Sequence, residues 1–116
     1  MTVLINRAKK EDVAPIFKLG QKIPELKYSK DSPFCEMLEV DEWVADQKIN
    51  IILTAKLGGK LVGFLIAKIL SKSWCALDDI AVDKKFRGQG IGNELLNKLY
   101  NILKKKKINY LNVLGN

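Results

Sequence analysis

Two short stretches of this sequence have residue types and spacings that could do chemistry. They are Arg87-Gly88-Gln89-Gly90-Ile91-Gly92-Asn93 and the adjacent acids Asp78 and Asp79. The glycine stretch stands between an apolar run and an amphipathic one. Free N–H groups at the start of a helix point outward together and, with the helix dipole, favour an anion. Glycines let a phosphate reach the main chain without meeting a Cβ. Lys84, Lys85 and Arg87 add positive charge beside it. The spacing is not the dinucleotide-binding GxGxxG, which needs glycine where Asn93 stands, nor a Walker A loop, because no Gly-Lys-Ser/Thr closes it. Tight packing of a helix start against a strand is the alternative that needs no ligand.

The acids suggest proton transfer. An aliphatic amine, with a pKa of about 10, must lose a proton before it can attack an acyl carbon, and a carboxylate acting through water is suited to take it. Strand alternation puts Asp78 on one face and Asp79 on the other, so only one faces any given cavity, and Asp78 is the first candidate. The plainer role for either acid is to cap a loop or to pair with a lysine.

Regular elements must position these residues. Val3 to Arg7 reads as a strand, and Glu11 to Leu19 as a helix with Val13, Ile16 and Phe17 inward and Pro15 near its first turn. Gly20 to Asp46 reads as a loop leading into a short helix around Trp43. Ile51 to Leu57 and Lys60 to Ile69 form a hairpin across Gly58-Gly59, whose glycines accept the positive φ of a tight turn. Trp74 to Val82 is a further strand, interrupted by the two acids. From Ile91 the apolar positions Leu95, Leu96, Leu99, Ile102 and Leu103 make the stripe of an amphipathic helix. That helix ends in Lys104 to Lys107, cations that offset its negative pole, and Ile108 to Leu114 reads as a last strand.

Composition narrows the chemistry. The 116 residues suffice for one compact domain, and 47% apolar with 28% charged residues is globular composition. The longest apolar stretch, Leu61 to Ala67, is far short of the ~20 residues of a membrane helix, and the basic start lacks the apolar run of a secretory signal. A cytoplasmic location is expected. With no histidine in the chain, catalytic triads and His-ligated metals are excluded, and no metal site is expected. Cys35 and Cys75 read as reduced packing residues. The net charge of +7 calls for an anionic partner. Against that background, Glu25, Asp31, Glu36, Glu39, Asp41, Glu42 and Asp46 face only Lys27 and Lys30, a candidate rim for a cationic substrate. The Lys104 to Lys107 run is read as a helix-end complement, and the RNA-stacking motifs of a nucleic-acid reader are missing.

Leu77-Asp78-Asp79-Ile80-Ala81-Val82-Asp83-Lys84-Lys85-Phe86, the glycine loop and Glu94-Leu95-Leu96 together resemble the central motif of the GNAT N-acetyltransferases. Arg87, Gly90 and Gly92 match the Arg/Gln-x-x-Gly-x-Gly/Ala signature of that family, and a looser likeness covers the chain. The resemblance implies acetyl-CoA as cofactor. It implies that the backbone of Ile80, Ala81 and Val82 pairs with the pantetheine arm and that N–H groups of Gly88, Gln89, Gly90, Ile91, Gly92 and Asn93 hold the pyrophosphate. Leu77-Asp78-Asp79 is similar to the diamine acetyltransferases, whose acids at this position orient the substrate amine, with Asp here in place of Glu. The Ile80 or Val82 amide would then stabilise the oxyanion of acyl transfer.

The expected fold is therefore α/β (α+β): a mostly antiparallel sheet flanked by helices, one domain over residues 1–116, opened near the end of the Trp74 strand. The expected function is direct acetyl transfer to a polyamine, a lysine-like amine or a peptide amine. The alternatives are a non-catalytic CoA-binding fragment and a basic nucleic-acid-binding module. The family pattern continues past its fifth strand into a helix and two strands, often with a tyrosine that protonates the departing thiolate, whereas this sequence stops at Asn116. A shortened chain, a partner such as a second copy that completes the sheet, and a short protein that binds without turnover all fit. Tyr28, Tyr100 and Tyr110 remain, with packing as their expected role.

Overall fold

The computed structural model describes residues 2–23 and 37–113, the side chains of 37–39 and 113 excepted. The strands are β1 (Leu4–Arg7), β2 (Asn50–Leu57), β3 (Lys60–Ile69), β4 (Trp74–Val82) and β5 (Tyr110–Val113). The helices are α1 (Val13–Gln21), α2 (Met37–Ala45) and α3 (Ile91–Lys105), with three-ten turns at Lys10–Asp12 and Lys84–Phe86. The strands lie in sequence order in one sheet. The first four pair antiparallel, and β4 and β5 pair parallel. The mixed, mostly antiparallel sheet expected from the sequence is what the chain forms.

Period-two alternation sorts the strand residues onto two faces. Ile51, Leu53, Ala55, Leu65, Ala67, Cys75 and Leu77 meet the stripe Ile91, Leu95, Leu99 and Leu103 of α3 on one side. Ile52, Phe64, Ile66 and Ala81 meet Val13, Ile16 and Leu19 of α1 and Val40 of α2 on the other. Each fully buried side chain of this kind contributes about 1.5–3 kcal/mol, so the helices are held by these faces rather than by their own propensity. The hairpin turn forms as expected, with Gly58 and Gly59 at φ 57° and 82°, the signs that a two-residue turn requires.

Polar ties complete the α1 and α2 side. Asp12, 3% exposed, accepts the Lys9 N–H at 2.8 Å and pairs with Lys56 Nζ at 2.7 Å. Arg7 Nε donates to Gln47 Oε1 at 3.2 Å, and Gln47 Nε2 donates to the Ala8 carbonyl at 2.7 Å, fastening the segment after α2 to the end of β1.

Several boundaries differ from the sequence reading. The first helix splits into the turn at Lys10–Asp12 and α1, which runs on to Gln21. The last strand starts at Tyr110, not Ile108, because Ile108 closes α3: its N–H reaches the Leu103 carbonyl at 2.9 Å while the Lys107 N–H reaches Lys104 at 3.1 Å. These are the two bonds of a Schellman ending, with Lys107 at φ 58° in the left-handed position and Ile108 buried against Leu103. Cys75 is a buried free thiol, as expected, and burial pushes its pKa up. Cys35, Tyr28, Glu25, Asp31 and Glu36 lie outside the described residues. No helix among those described is long and apolar enough to cross a membrane.

Candidate active site

The acids sit where β4 stops being regular. Along the β3 edge, Ile66 faces Asp79 and the next residue, Ala67, faces Leu77, so Asp78 is the extra residue of a β-bulge. In a bulge two residues oppose one on the partner strand, and the bulged strand bends. The expectation that alternation separates the two acids is thereby corrected: together they oppose Ile66. Asp79 shares the face of Ile66 rather than that of Leu77.

Burial, and then the neighbouring charge of Asp78, push the Asp79 carboxyl up to about 6. Asp78 is also raised by burial, with Lys68 pulling against it. Lys68 faces Ala76 across the sheet, on the same face as Ile66 two residues away. Of the acidic rim, Asp41, Glu42 and Asp46 are exposed on or just after α2.

The bulge coincides with a change at the other edge of β4. Among the described residues, β5 pairs with β4 only from Trp74 to Leu77. From Asp79 to Val82, β4 keeps its partner on β3 and, among the described residues, shows none on the β5 side. The Asp83 N–H donates to the Val62 carbonyl at 2.8 Å. Backbone groups of successive strand residues point to opposite edges, so the N–H and C=O of Ile80 and Val82 face the open side.

Directly beyond lies the glycine loop. Asp83 caps the turn at Lys84–Phe86 by accepting the Lys85 N–H at 3.0 Å, and Lys60 Nζ lies 5.9 Å from the centre of the Phe86 ring. Arg87 Nε donates to the Val82 carbonyl at 3.1 Å. Gly88, Gln89 and Gly90 are exposed. Gly90 stands at the N-cap of α3 with φ 81° and offers no side-chain cap. Its carbonyl takes the first helical bond, from Glu94 at 3.0 Å, which leaves the N–H groups of Ile91, Gly92 and Asn93 without helical partners. A Cβ on Gly88 or Gly90 would meet nothing within 4 Å. Ile91 is buried and anchors this end of α3.

The predicted residues thus fall into one continuous surface: the acids at the bulge, the open strand edge from Ile80 to Val82, and the uncapped helix start. A slender chain bearing amides could pair with the edge while its anionic end rests on the helix start, so the main-chain donors fit the cofactor that the resemblance implies. Two hollows flank β5. One of about 590 Å³ lies beside Tyr100, Lys104, Lys107 and Tyr110, and one of about 490 Å³ beside Trp74, Tyr110 and Asn112. Tyr110 is 69% exposed and Tyr100 50%, which corrects the expectation that both are packed: β5 is the edge strand, and Tyr100 lies off the apolar stripe of α3. Sequence reasoning also missed Lys68, whose proximity to the acids depends on strand register.

Comparison with known proteins agrees with the fold. The model of the acetyltransferase (GNAT) family matches residues 17–116. No curated protein matches the sequence significantly. Among solved structures, the chain is similar to the PaiA N-acetyltransferase of Thermoplasma acidophilum in complex with coenzyme A. Their TM-score is 0.81 at 18% identity, over 93% of this chain and 76% of that one. It is similar to an aminoglycoside acetyltransferase from an uncultured soil metagenomic sample, in complex with sisomicin, with TM-score 0.78 at 21% identity over 98% and 78% of the two chains. It is also similar to the ribosomal-protein-alanine N-acetyltransferase of Brucella melitensis biovar Abortus 2308, with TM-score 0.74 at 21% identity over 97% and 79%.

Proposed function

The chain belongs to the acetyltransferase (GNAT) family, and from that premise we propose that it moves the acetyl group of acetyl-CoA directly to a primary amine, with Asp79 as the base in place of the Asp78 expected from the sequence, because Asp78 is exposed and Asp79 half-buried. The observation that carries the reading is the continuity of the open β4 edge, the uncapped start of α3 and the paired acids at the bulge. When bound, acetyl-CoA supplies the thioester carbon that a neutral amine attacks.

The chain's own part is to grip, to orient and to move a proton. The N–H groups from Gly88 to Asn93 receive the diphosphate, and Ile80, Ala81 and Val82 offer the strand edge to the amide-bearing arm. The outward N–H of Ile80 or Val82 is available to an oxygen that gains negative charge during transfer. Asp79, pushed up to about 6, is a stronger base than an ordinary aspartate and is still mostly ionised at pH 7, a useful compromise for taking a proton from an ammonium. Asp78 beside it adds a second negative charge that attracts the cation.

The acceptor class follows from charge. Two carboxylates at the bulge and exposed acids on the α2 side favour polyamines, lysine-like amines or peptide amines over acidic acceptors. The similar proteins include enzymes named for an aminoglycoside and for a protein alanine, acceptors that share an amine and little else.

Calorimetric titration with CoA, followed by thiol release from acetyl-CoA over a panel of amines, tests the reading. Binding together with amine-dependent thiol release is expected. Replacing Gly90 with valine forces a side chain into positive φ, which costs about 1–2 kcal/mol of stability. It also puts methyl groups where the phosphates would rest, so CoA affinity should fall by about tenfold or more, which is about 1.4 kcal/mol of binding free energy or more and is separate from the loss of stability. Equal CoA affinity in that variant, or thiol release indifferent to amines, would sink the proposal.

A further inference from the structure

Arg87 is well placed to be read as a positive charge for the phosphates, but its observed bond assigns it a different part. Its Nε–H, not a terminal guanidinium N–H, donates to the Val82 carbonyl at 3.1 Å. That carbonyl faces the open edge, because the next residue, Asp83, turns its N–H to Val62 on the opposite side. The bond therefore joins the last residue of β4 to the first residue of the glycine loop, across the turn at Lys84–Phe86 that Asp83 caps.

We propose that Arg87 is a positioning residue whose Nε–H ties the loop to Val82 and fixes where the loop's N–H groups stand relative to the open edge of β4. The inference rests on the acetyl-CoA reading and refines one residue's role in it. It has a second consequence for the edge. The Val82 carbonyl already accepts one donor, so among the described residues the groups with both hydrogen-bonding capacity and no bond yet along this edge of β4 are the Ile80 N–H and C=O and the Val82 N–H, with one lone pair of the Val82 carbonyl remaining.

Bond counting supplies a test that separates position from charge. Glutamine places its amide nitrogen as many bonds from Cα as arginine places Nε, so Arg87→Gln keeps a donor there and loses the charge. Lysine has a methylene at that point and carries its ammonium one bond further, so Arg87→Lys keeps the charge and loses the donor. Titrating CoA into the full chain, Arg87→Gln should bind within about threefold of wild type. Arg87→Lys should weaken about fivefold to tenfold, the net worth of one hydrogen bond.

The reverse order, with lysine the tighter binder, would overturn the inference while leaving the acetyl-CoA reading intact. Failure of the wild-type protein to bind CoA would overturn both. A further measurement needs no ligand: in nitrogen-15 spectra of the free protein, the Arg87 Nε–H should exchange with water more slowly than the same group in the denatured chain. Fast exchange in the folded protein would show that the tie is absent in solution and overturn the proposal by itself.

Discussion

Gly63 and Ala81 lie so close across β3 and β4 that a Cβ on Gly63 would stand 2.9 Å from the Ala81 carbonyl oxygen. The other neighbours, Ile91 Cγ2 at 3.5 Å and Ala55 Cβ at 3.6 Å, would accept a methyl group. A main-chain oxygen within a ladder cannot step aside without moving the strand. Gly63→Ala should therefore destabilise the fold by about 1–3 kcal/mol, as small-to-large changes in packed interiors do. The midpoint of urea unfolding measures it, and an unchanged midpoint would contradict the close approach.

Asp79 predicts a pH dependence with a definite sign. Its carboxyl is pushed up to about 6 in the folded chain, against about 3.9 when unfolded. Between those values the folded state holds more protons, so this group's contribution to stability declines as pH rises from about 4 through 6. Asp79→Asn removes the decline and should gain on wild type as pH increases across that window. In activity, kcat/KM of wild type should rise with an inflection near 6, and Asp79→Asn should lose about a hundredfold, the low end for a general base. Unfolding curves from pH 4 to 7 that run parallel for the two proteins would refute the shift.

Lys107 predicts an easy gain. It holds φ 58° at the end of α3, where glycine carries no steric penalty and lysine does. Lys107→Gly should stabilise by about 1 kcal/mol through relief of the left-handed strain. Thermal melting checks this, and a lower melting temperature would mean that the lysine side chain makes a compensating contact.

These positions also show what could be read in advance. The Gly58-Gly59 hairpin, the apolar stripe from Ile91 to Leu103 and the glycine loop between strand and helix each carry a local signal in residue type or period, and each appears where expected. The bulge at Asp78 does not. Period-two reasoning assumes that every residue has a partner, and an inserted residue changes the face of its successors without changing any residue type. The pairing of the acids follows from that insertion and is hidden with it. Ile108 is ambiguous for a similar reason. An apolar residue after a helix reads equally as a strand start or as the hydrophobic contact of a helix ending, and only the bonds from Ile108 and Lys107 decide. The exposure of Tyr110 depends on which strand lies at the sheet edge, a matter of topology that spacing does not encode.

The uncapped start of α3 and the free rim of β4 have one more implication. A socket made of amides is indifferent to which side chains hang from it, provided the chain traces the same path. Residue identity can then fall far while the fold persists, as with the similar structures, which share the fold at 18–21% identity. What such drift must spare is the shape of the trace: the small residues that permit its turns and the few ties that hold its angle.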